Sequence, residues 1–213
     1  MFFPIVNSPE IERSVLRNYL LVIGLPVHII KKRLEKSYSN LIIETDRLLI
    51  RPFRMDDIEP SYAMNLDPEV SKYTGDGGVV TKEEMERRII ENVFGDYEKY
   101  GFGRLAVELK EENKFIGFTG LKYLEEIDEV DLGYRFMKEY WGKGIATESA
   151  RPCLDLGFEM LGLNKIVAMT FPQNRGSIRV LEKLNFQYEK DIIDNNLLVK
   201  LYSLFKATAP NKT

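Results

Sequence analysis

Between Tyr140 and Thr147 the chain reads Tyr-Trp-Gly-Lys-Gly-Ile-Ala-Thr, a glycine-bearing turn lying between a strand pattern and an amphipathic helix pattern. Gly142 and Gly144 let the backbone turn tightly, and the first amides of a helix that starts here have no carbonyl partner, which suits an anion. Lys143 adds positive charge at the same point. The chemistry implied is phosphate binding; turns of glycine and lysine also arise for structural reasons alone. Two nucleotide-binding motifs are excluded by spacing, because the turn carries neither Gly-x-x-x-x-Gly-Lys-Ser/Thr nor Gly-x-Gly-x-x-Gly.

Composition removes further chemistries. The 213 residues contain one cysteine, Cys153, and one histidine, His28, so there is no internal disulfide and no His/Cys cluster for zinc. Serine hydrolase and cysteine protease schemes need a histidine base, and His28 lies far from any nucleophile motif. Thirty basic against 33 acidic side chains give a net charge of -3, too even for a protein that neutralises phosphate chains, so nucleic acid is not the expected partner. The longest apolar run, Tyr19 to Ile30, holds Pro26 and His28 and falls short of the ~20 residues of a membrane span. It also lacks the features of a secretory leader, so the expectation is a cytoplasmic protein with no membrane partner.

The elements that must position the turn follow from periodicity. A break near Ser37 to Asn40 separates residues 1–40, read as a helical extension, from a main domain over 41–213. In the extension, Ser8-Pro9-Glu10 opens a helix, Gly24 and Pro26 stop it, and a second short helix ends in Lys31, Lys32, Arg33 and Lys36, a solvated basic face. The expectation is an appendage packed on the main domain or on a neighbouring subunit of a homodimer. In the main domain Leu48–Arg51 reads as a strand, Asp56 as the cap of a helix reaching Leu66, and Tyr73–Gly78 as a loop. Thr81 with Glu84 is a capping box for a long helix ending before Gly101. Strands follow over 102–109, 114–121 and 130–136, then the turn, then a helix whose stripe is Ala146, Ala150, Cys153, Leu154, Gly157, Phe158 and Leu161. A strand at 165–171, a helix at 174–184 and strands at 186–192 and 197–205 complete a mixed α/β (α+β) sheet of about seven strands flanked by four helices.

Four segments together resemble a known family. Asp131-Leu132-Gly133-Tyr134, the turn with Glu148, Pro172-Gln173-Asn174-Arg175-Gly176-Ser177, and Arg179 to Phe186 look like a GNAT acetyltransferase. More narrowly they resemble the ribosomal-protein N-terminal acetyltransferase branch, as does Glu44-Thr45-Asp46-Arg47-Leu48-Leu49-Ile50-Arg51-Pro52. The likeness runs from about Leu41 to Phe205, in order and spacing. It implies a mostly antiparallel sheet that splays between its fourth and fifth strands, with acetyl-CoA as the acetyl donor and no metal. The pyrophosphate would sit on the amides of Gly142, Lys143, Gly144, Ile145, Ala146 and Thr147, and the pantetheine arm on the backbone of Tyr134, Arg135, Phe136 and Met137. Glu139 departs from the family, which has Gln or Arg there, and should face solvent.

The implied reaction is N-acetylation, direct transfer to a primary amine through a tetrahedral oxyanion, which needs a neutral amine and a stabilised thiol leaving group. A free α-amine titrates near ~8 and a lysine near ~10.4, so a base matters more for lysine. By the resemblance Asp131 takes a proton or orients the acceptor, with Glu129 in reserve. Leu181 stands where many relatives have a tyrosine acid, and Ser177 matches the branch's serine, assigned to the leaving sulfur. Asn174 caps its helix and bonds pantetheine. Asn185 replaces a helix-ending glycine at modest cost; Cys153 reads as core and Trp141 as a packing anchor. The acceptor, a peptide N-terminus or small amine, should enter between the 73–78 loop and the hairpin at 194–196, across an acidic rim of Asp76, Asp194 and Asp131. The rival expectation is a non-catalytic acyl-CoA-binding regulatory module.

Overall fold

The computed structural model describes residues 41–74 and 78–207. The extension over 1–40 with His28, the break at 37–40, and Asp76 in the 73–78 loop all lie outside the described residues.

The chain opens with β1 (Ile43–Glu44) and β2 (Leu48–Pro52), followed by a 3-10 turn at Met55–Asp57, α1 (Ile58–Asn65) and the single turn α2 (Pro68–Ser71). α3 (Lys82–Arg88) runs through a π-helical stretch, Ile89–Phe94, into α4 (Gly95–Tyr100). Strands β3 (Arg104–Leu109), β4 (Lys114–Leu124) and β5 (Glu129–Phe136) follow. Next come α5 (Ile145–Asp155) with a π-helical stretch at Leu156–Met160, β6 (Lys165–Thr170), α6 (Arg175–Lys183), β7 (Gln187–Asp194) and β8 (Leu197–Phe205). Among the described residues the sheet has eight strands in the order β1-β2-β3-β4-β5-β6-β8-β7, one more than expected because β1 also pairs. Every neighbouring pair is antiparallel except β5 with β6.

Alternation explains the core. β2 buries Leu48 and Ile50, and β3 buries Leu105, Ala106 and Val107 between covers on both faces. One buried cluster joins the sheet to α5 and α6 through Ile145, Cys153, Leu154, Ile178 and Leu181; a second gathers Phe53, Ile58, Met85, Ile89 and Phe115 with α1 and α3. Thr81 caps α3 by accepting the Glu84 amide, but Glu84 turns its carboxylate to Arg87 and Arg88, so half of the expected capping box forms among the described residues.

The structure corrects one local reading and extends two others. Asp57, not Asp56, organises the entry to α1: its carboxylate accepts the Arg54 amide at 2.7 Å and pairs bidentately with Arg51 at 2.7 and 2.8 Å. Arg51, also bonded to Glu108 at 2.7 Å, is almost fully buried. Burial opposes its charge, but the Asp57 and Glu108 carboxylates outweigh that and raise its pKa. The apolar stripe of α5 packs on the core as its period predicts, and the π-helical stretch turns Leu156 inward beside it. Gly157 there has no room for a side chain: a Cβ would meet Ile166 Cδ1 at 2.7 Å and Leu121 Cδ1 at 2.9 Å. Finally α2, capped by Asp67 accepting the Glu69 amide, is too short to show as a period.

Candidate active site

The parallel neighbours β5 and β6 share a single ladder pair, Asp131 with Val167, although β5 has eight residues and β6 six. Beyond that pair, toward their C-terminal ends, the strands part. β5 remains paired to β4 as far as Phe136, and the Met137 amide is given to Ile116 on β4 at 3.0 Å. By alternation along an antiparallel pair, the backbone of Tyr134 and Phe136 faces the gap, whereas that of Arg135 and Met137 faces β4. The Phe136 carbonyl is bonded to Trp141 Nε1 at 2.8 Å. Trp141 therefore fixes the turn by a hydrogen bond rather than by packing, since 47% of it stays exposed.

The turn itself has the geometry of an anion cradle. Gly142 and Gly144 take φ of 74° and 81°, a conformation that residues with a Cβ adopt at a cost. Gly144 is the N-cap of α5 and offers no side chain to the first amides. The first helical bond from this end is Glu148 N to Gly144 O at 3.0 Å, so the preceding amides, through Ile145, Ala146 and Thr147, open onto the cleft. Lys143 lies with its ammonium 5.4 Å from the Tyr140 ring centre. Glu139 faces away, 3.5 Å from Lys114 and exposed. Arg47 braces the turn: it bonds the Lys143 carbonyl at 3.0 Å and Glu148 at 2.7 Å, while Thr45 bonds the other Glu148 oxygen at 2.5 Å. Burial acts against ionised Glu148, but the bonds from Thr45 and Arg47 outweigh it and hold its pKa down.

Across the gap, Asn174 caps α6 with its Oδ1 accepting the Ser177 amide at 3.1 Å. The Ser177 hydroxyl does not close a local backbone bond. It meets the Tyr134 hydroxyl at 3.0 Å, and Tyr134 also donates to the Ser177 carbonyl at 3.2 Å. Burial pushes the Tyr134 phenol above its ordinary range; the Ser177 bond opposes this and the Asp131 charge adds to it. Leu181 is packed in the core, and Asn185, at φ 66°, ends α6 with the Phe186 amide bonded to the Leu181 carbonyl at 3.0 Å. Cys153 is fully buried, its thiol donating to the Ser149 carbonyl at 3.4 Å and pushed up to about 12, first by burial.

Asp131 stands at the point where the strands part. One carboxylate oxygen forms an ion pair with Arg104, and the other accepts the Met169 amide of β6 at 3.3 Å. The side chain thus replaces a ladder carbonyl for the first β6 amide past the split. Arg104 reaches it by crossing two glycines; a Cβ on Gly133 would lie 2.4 Å from the guanidinium, and the same Arg104 bonds the Gly120 and Asp131 carbonyls. Glu129 sits at the closed end of the gap, bonded to Lys165 at 2.7 Å. Lys165 is shared with Glu189 at 3.2 Å.

The gap opens into a cleft of about 1180 Å³ that extends from the turn to α1 and α3. Asp131 and Asp194 of the expected rim both line it, together with Arg87, Arg104 and Lys122, so the described wall is mixed in charge. Two buried hydroxyls on this wall, Ser61 Oγ and Thr170 Oγ1, make no hydrogen bond among the described residues. Sequence reading missed Arg104 and Arg47 as site residues. Arg104 left one usable signal, the two glycines at positions 120 and 133 inside otherwise regular strands.

With this geometry in place, known proteins supply the comparison. A family profile described as "Acetyltransferase (GNAT) domain" matches residues 47–187. The chain is 33% identical over 149 residues to an uncharacterised N-acetyltransferase, p20, of Bacillus licheniformis, covering 68% of this chain and 82% of that one. It superposes on a GNAT-family acetyltransferase from Bacillus anthracis with TM-score 0.66 and 30% identity, covering 78% of this chain and 98% of the other. A ribosomal-protein-S5-alanine acetyltransferase from Vibrio fischeri shares the fold at TM-score 0.65 and 22% identity, over 78% and 97% of the two chains.

Proposed function

The chain belongs to the GNAT acetyltransferase family, and from that premise we propose that it moves the acetyl group of acetyl-CoA to a primary amine that is substantially neutral near physiological pH, of which a peptide N-terminal α-amine, titrating near ~8, is the model case. The observation that carries this reading is the parting of β5 and β6 at Asp131, with the uncapped start of α5 on one side and Ser177 on the other.

The site fits the donor. The amides ahead of Glu148 suit a pyrophosphate, with no side chain at Gly142 or Gly144 to stand in its way. The backbone of Tyr134 and of Phe136 faces a gap wide enough to have lost its ladder, and an amide-bearing arm is the ligand such an edge accepts. Bound there, acetyl-CoA supplies an activated acyl group as its thioester. Asn174 orients the start of α6, and the Ser177 hydroxyl provides a hydrogen bond for sulfur.

The acceptor class follows from the carboxylates. Asp131 is committed to Arg104 and to the Met169 amide, and Glu129 to Lys165. Asp131 then holds the split open and is not the group that removes the amine proton. An acceptor that arrives neutral needs no such group, which favours an amine titrating near ~8 over a lysine near ~10.4. The test is release of free thiol from acetyl-CoA against a panel of Ala-, Ser- and Met-starting peptides, polyamines and lysine side chains. Acceptor-dependent thiol with the α-amines supports the proposal. Tight CoA binding without acceptor-dependent thiol would leave the chain a binding module, and a preference for lysine would overturn the acceptor class.

A further inference from the structure

Tyr134 leaves β5 on the face opposite Asp131, packs against the cluster that joins the sheet to α5 and α6, and ends on Ser177. Its hydroxyl has one proton and two acceptors within reach, the Ser177 carbonyl at 3.2 Å and the Ser177 Oγ at 3.0 Å. Ser177 likewise has one proton. Two arrangements satisfy both groups. In one, Tyr134 donates to the carbonyl and Ser177 donates to Tyr134, which directs the serine proton away from the gap. In the other, Tyr134 donates to Ser177 Oγ, and the serine proton is released to a third atom.

Resting on the acetyl-transfer reading above, we propose that Tyr134 is a positioning residue: by moving its hydrogen bond from the Ser177 carbonyl to Ser177 Oγ, it turns the serine O–H onto the departing sulfur. In the transfer the amine nitrogen forms its bond to the acetyl carbon, the carbon–sulfur bond breaks, and sulfur keeps the electron pair. The proton lost by nitrogen and the one gained by sulfur balance through solvent. Ser177 and Tyr134 remain hydroxyls throughout and exchange only hydrogen bonds, so a phenol held above its ordinary range by burial is suited to the task. A hydroxyl that receives a hydrogen bond is also a stronger donor, so the pair stabilises a thiolate better than serine alone.

The experiment compares the wild type, Tyr134→Phe, Ser177→Ala and the double variant in acceptor-dependent thiol release, with CoA affinity measured by calorimetry. Tyr134→Phe should lower kcat about tenfold, the worth of one hydrogen bond, with CoA affinity within about twofold of wild type. Ser177→Ala should lower it at least as far, and the double variant should be no slower than Ser177→Ala, because Tyr134 acts only through Ser177. A purely structural tyrosine would instead give multiplicative losses or weakened CoA binding. Wild-type kcat in Tyr134→Phe, or a double variant that loses the product of both factors, overturns this inference alone. A wild type that releases no acceptor-dependent thiol overturns the acetyl-transfer reading and this role with it.

Discussion

At the residue scale, the site is built from groups whose partners are distant in the chain. Arg47 and Glu148 lie 101 positions apart, and Arg104 and Asp131 are 27 apart. The glycines of the turn, the Asn174 cap and Ser177 were legible because a local backbone need dictates each: a positive φ, an N-cap, a first helical turn. The two arginines were not, since nothing in a local pattern tells which cation a folded sheet will carry to which carboxylate. Gly144→Asp tests the turn. Its Cβ would meet nothing closer than Arg47 at 3.7 Å, so the variant should fold, yet the positive φ and a carboxylate among the amides should raise the Kd for CoA at least a hundredfold by calorimetry. Asp131→Asn tests the split. Leaving the part-buried Arg104 without its anion should cost about 2 kcal/mol in urea denaturation, whereas a carboxylate serving only as a base would be lost without change in stability.

At the element scale, period and capping located the strands and the longer helices, while irregular backbone escaped. The π-helical stretches at Ile89–Phe94 and Leu156–Met160 each shift a helical face by a residue, which a 3.6 period cannot register. β1 has two residues and α2 four, too few for any period to repeat. The assignment of the α1 cap slipped by one residue because Asp56 and Asp57 are chemically identical, and only burial of Arg51 selects the second. Asn185 behaves as its type and position predict: at φ 66° it bears a strain that glycine would not. Asn185→Gly should therefore leave activity unchanged and raise stability by a few tenths to about 1 kcal/mol, read as a shift in the denaturation midpoint. A loss of stability would show that the Asn185 side chain contributes contacts of its own.

At the scale of the whole molecule, a sheet covered on both faces carries one interruption, between β5 and β6. Apart from it, Asp96 makes a long ion pair with Lys122. It is buried, one of its oxygens lacks a hydrogen bond among the described residues, and Lys122 is 3.8 Å away. Burial raises its pKa, with Lys122 and Arg104 opposing. A raised pKa means that the folded state keeps a proton the unfolded chain has released, so stability falls as pH rises through the window above the ordinary range near ~4. Asp96→Asn should be more stable than wild type at pH 7 and lose that advantage below about pH 4, measured by denaturation at both pH values. An equal difference at the two pH values would remove ionisation of Asp96 as the cause.

The near absence of histidine and cysteine, which excluded several chemistries from the start, suits a transfer served by hydroxyls, backbone amides and an acceptor that brings its own neutral nitrogen. The most direct measurement of that claim is the pH profile of acceptor-dependent thiol release for a peptide with a free α-amine, set against the same peptide blocked at its N-terminus and bearing one lysine. kcat/KM should rise as the α-ammonium loses its proton near ~8, with little turnover of the blocked peptide below pH 9. Comparable rates for the lysine peptide at pH 7, or a profile governed by an enzyme group in the carboxylate range, would contradict it.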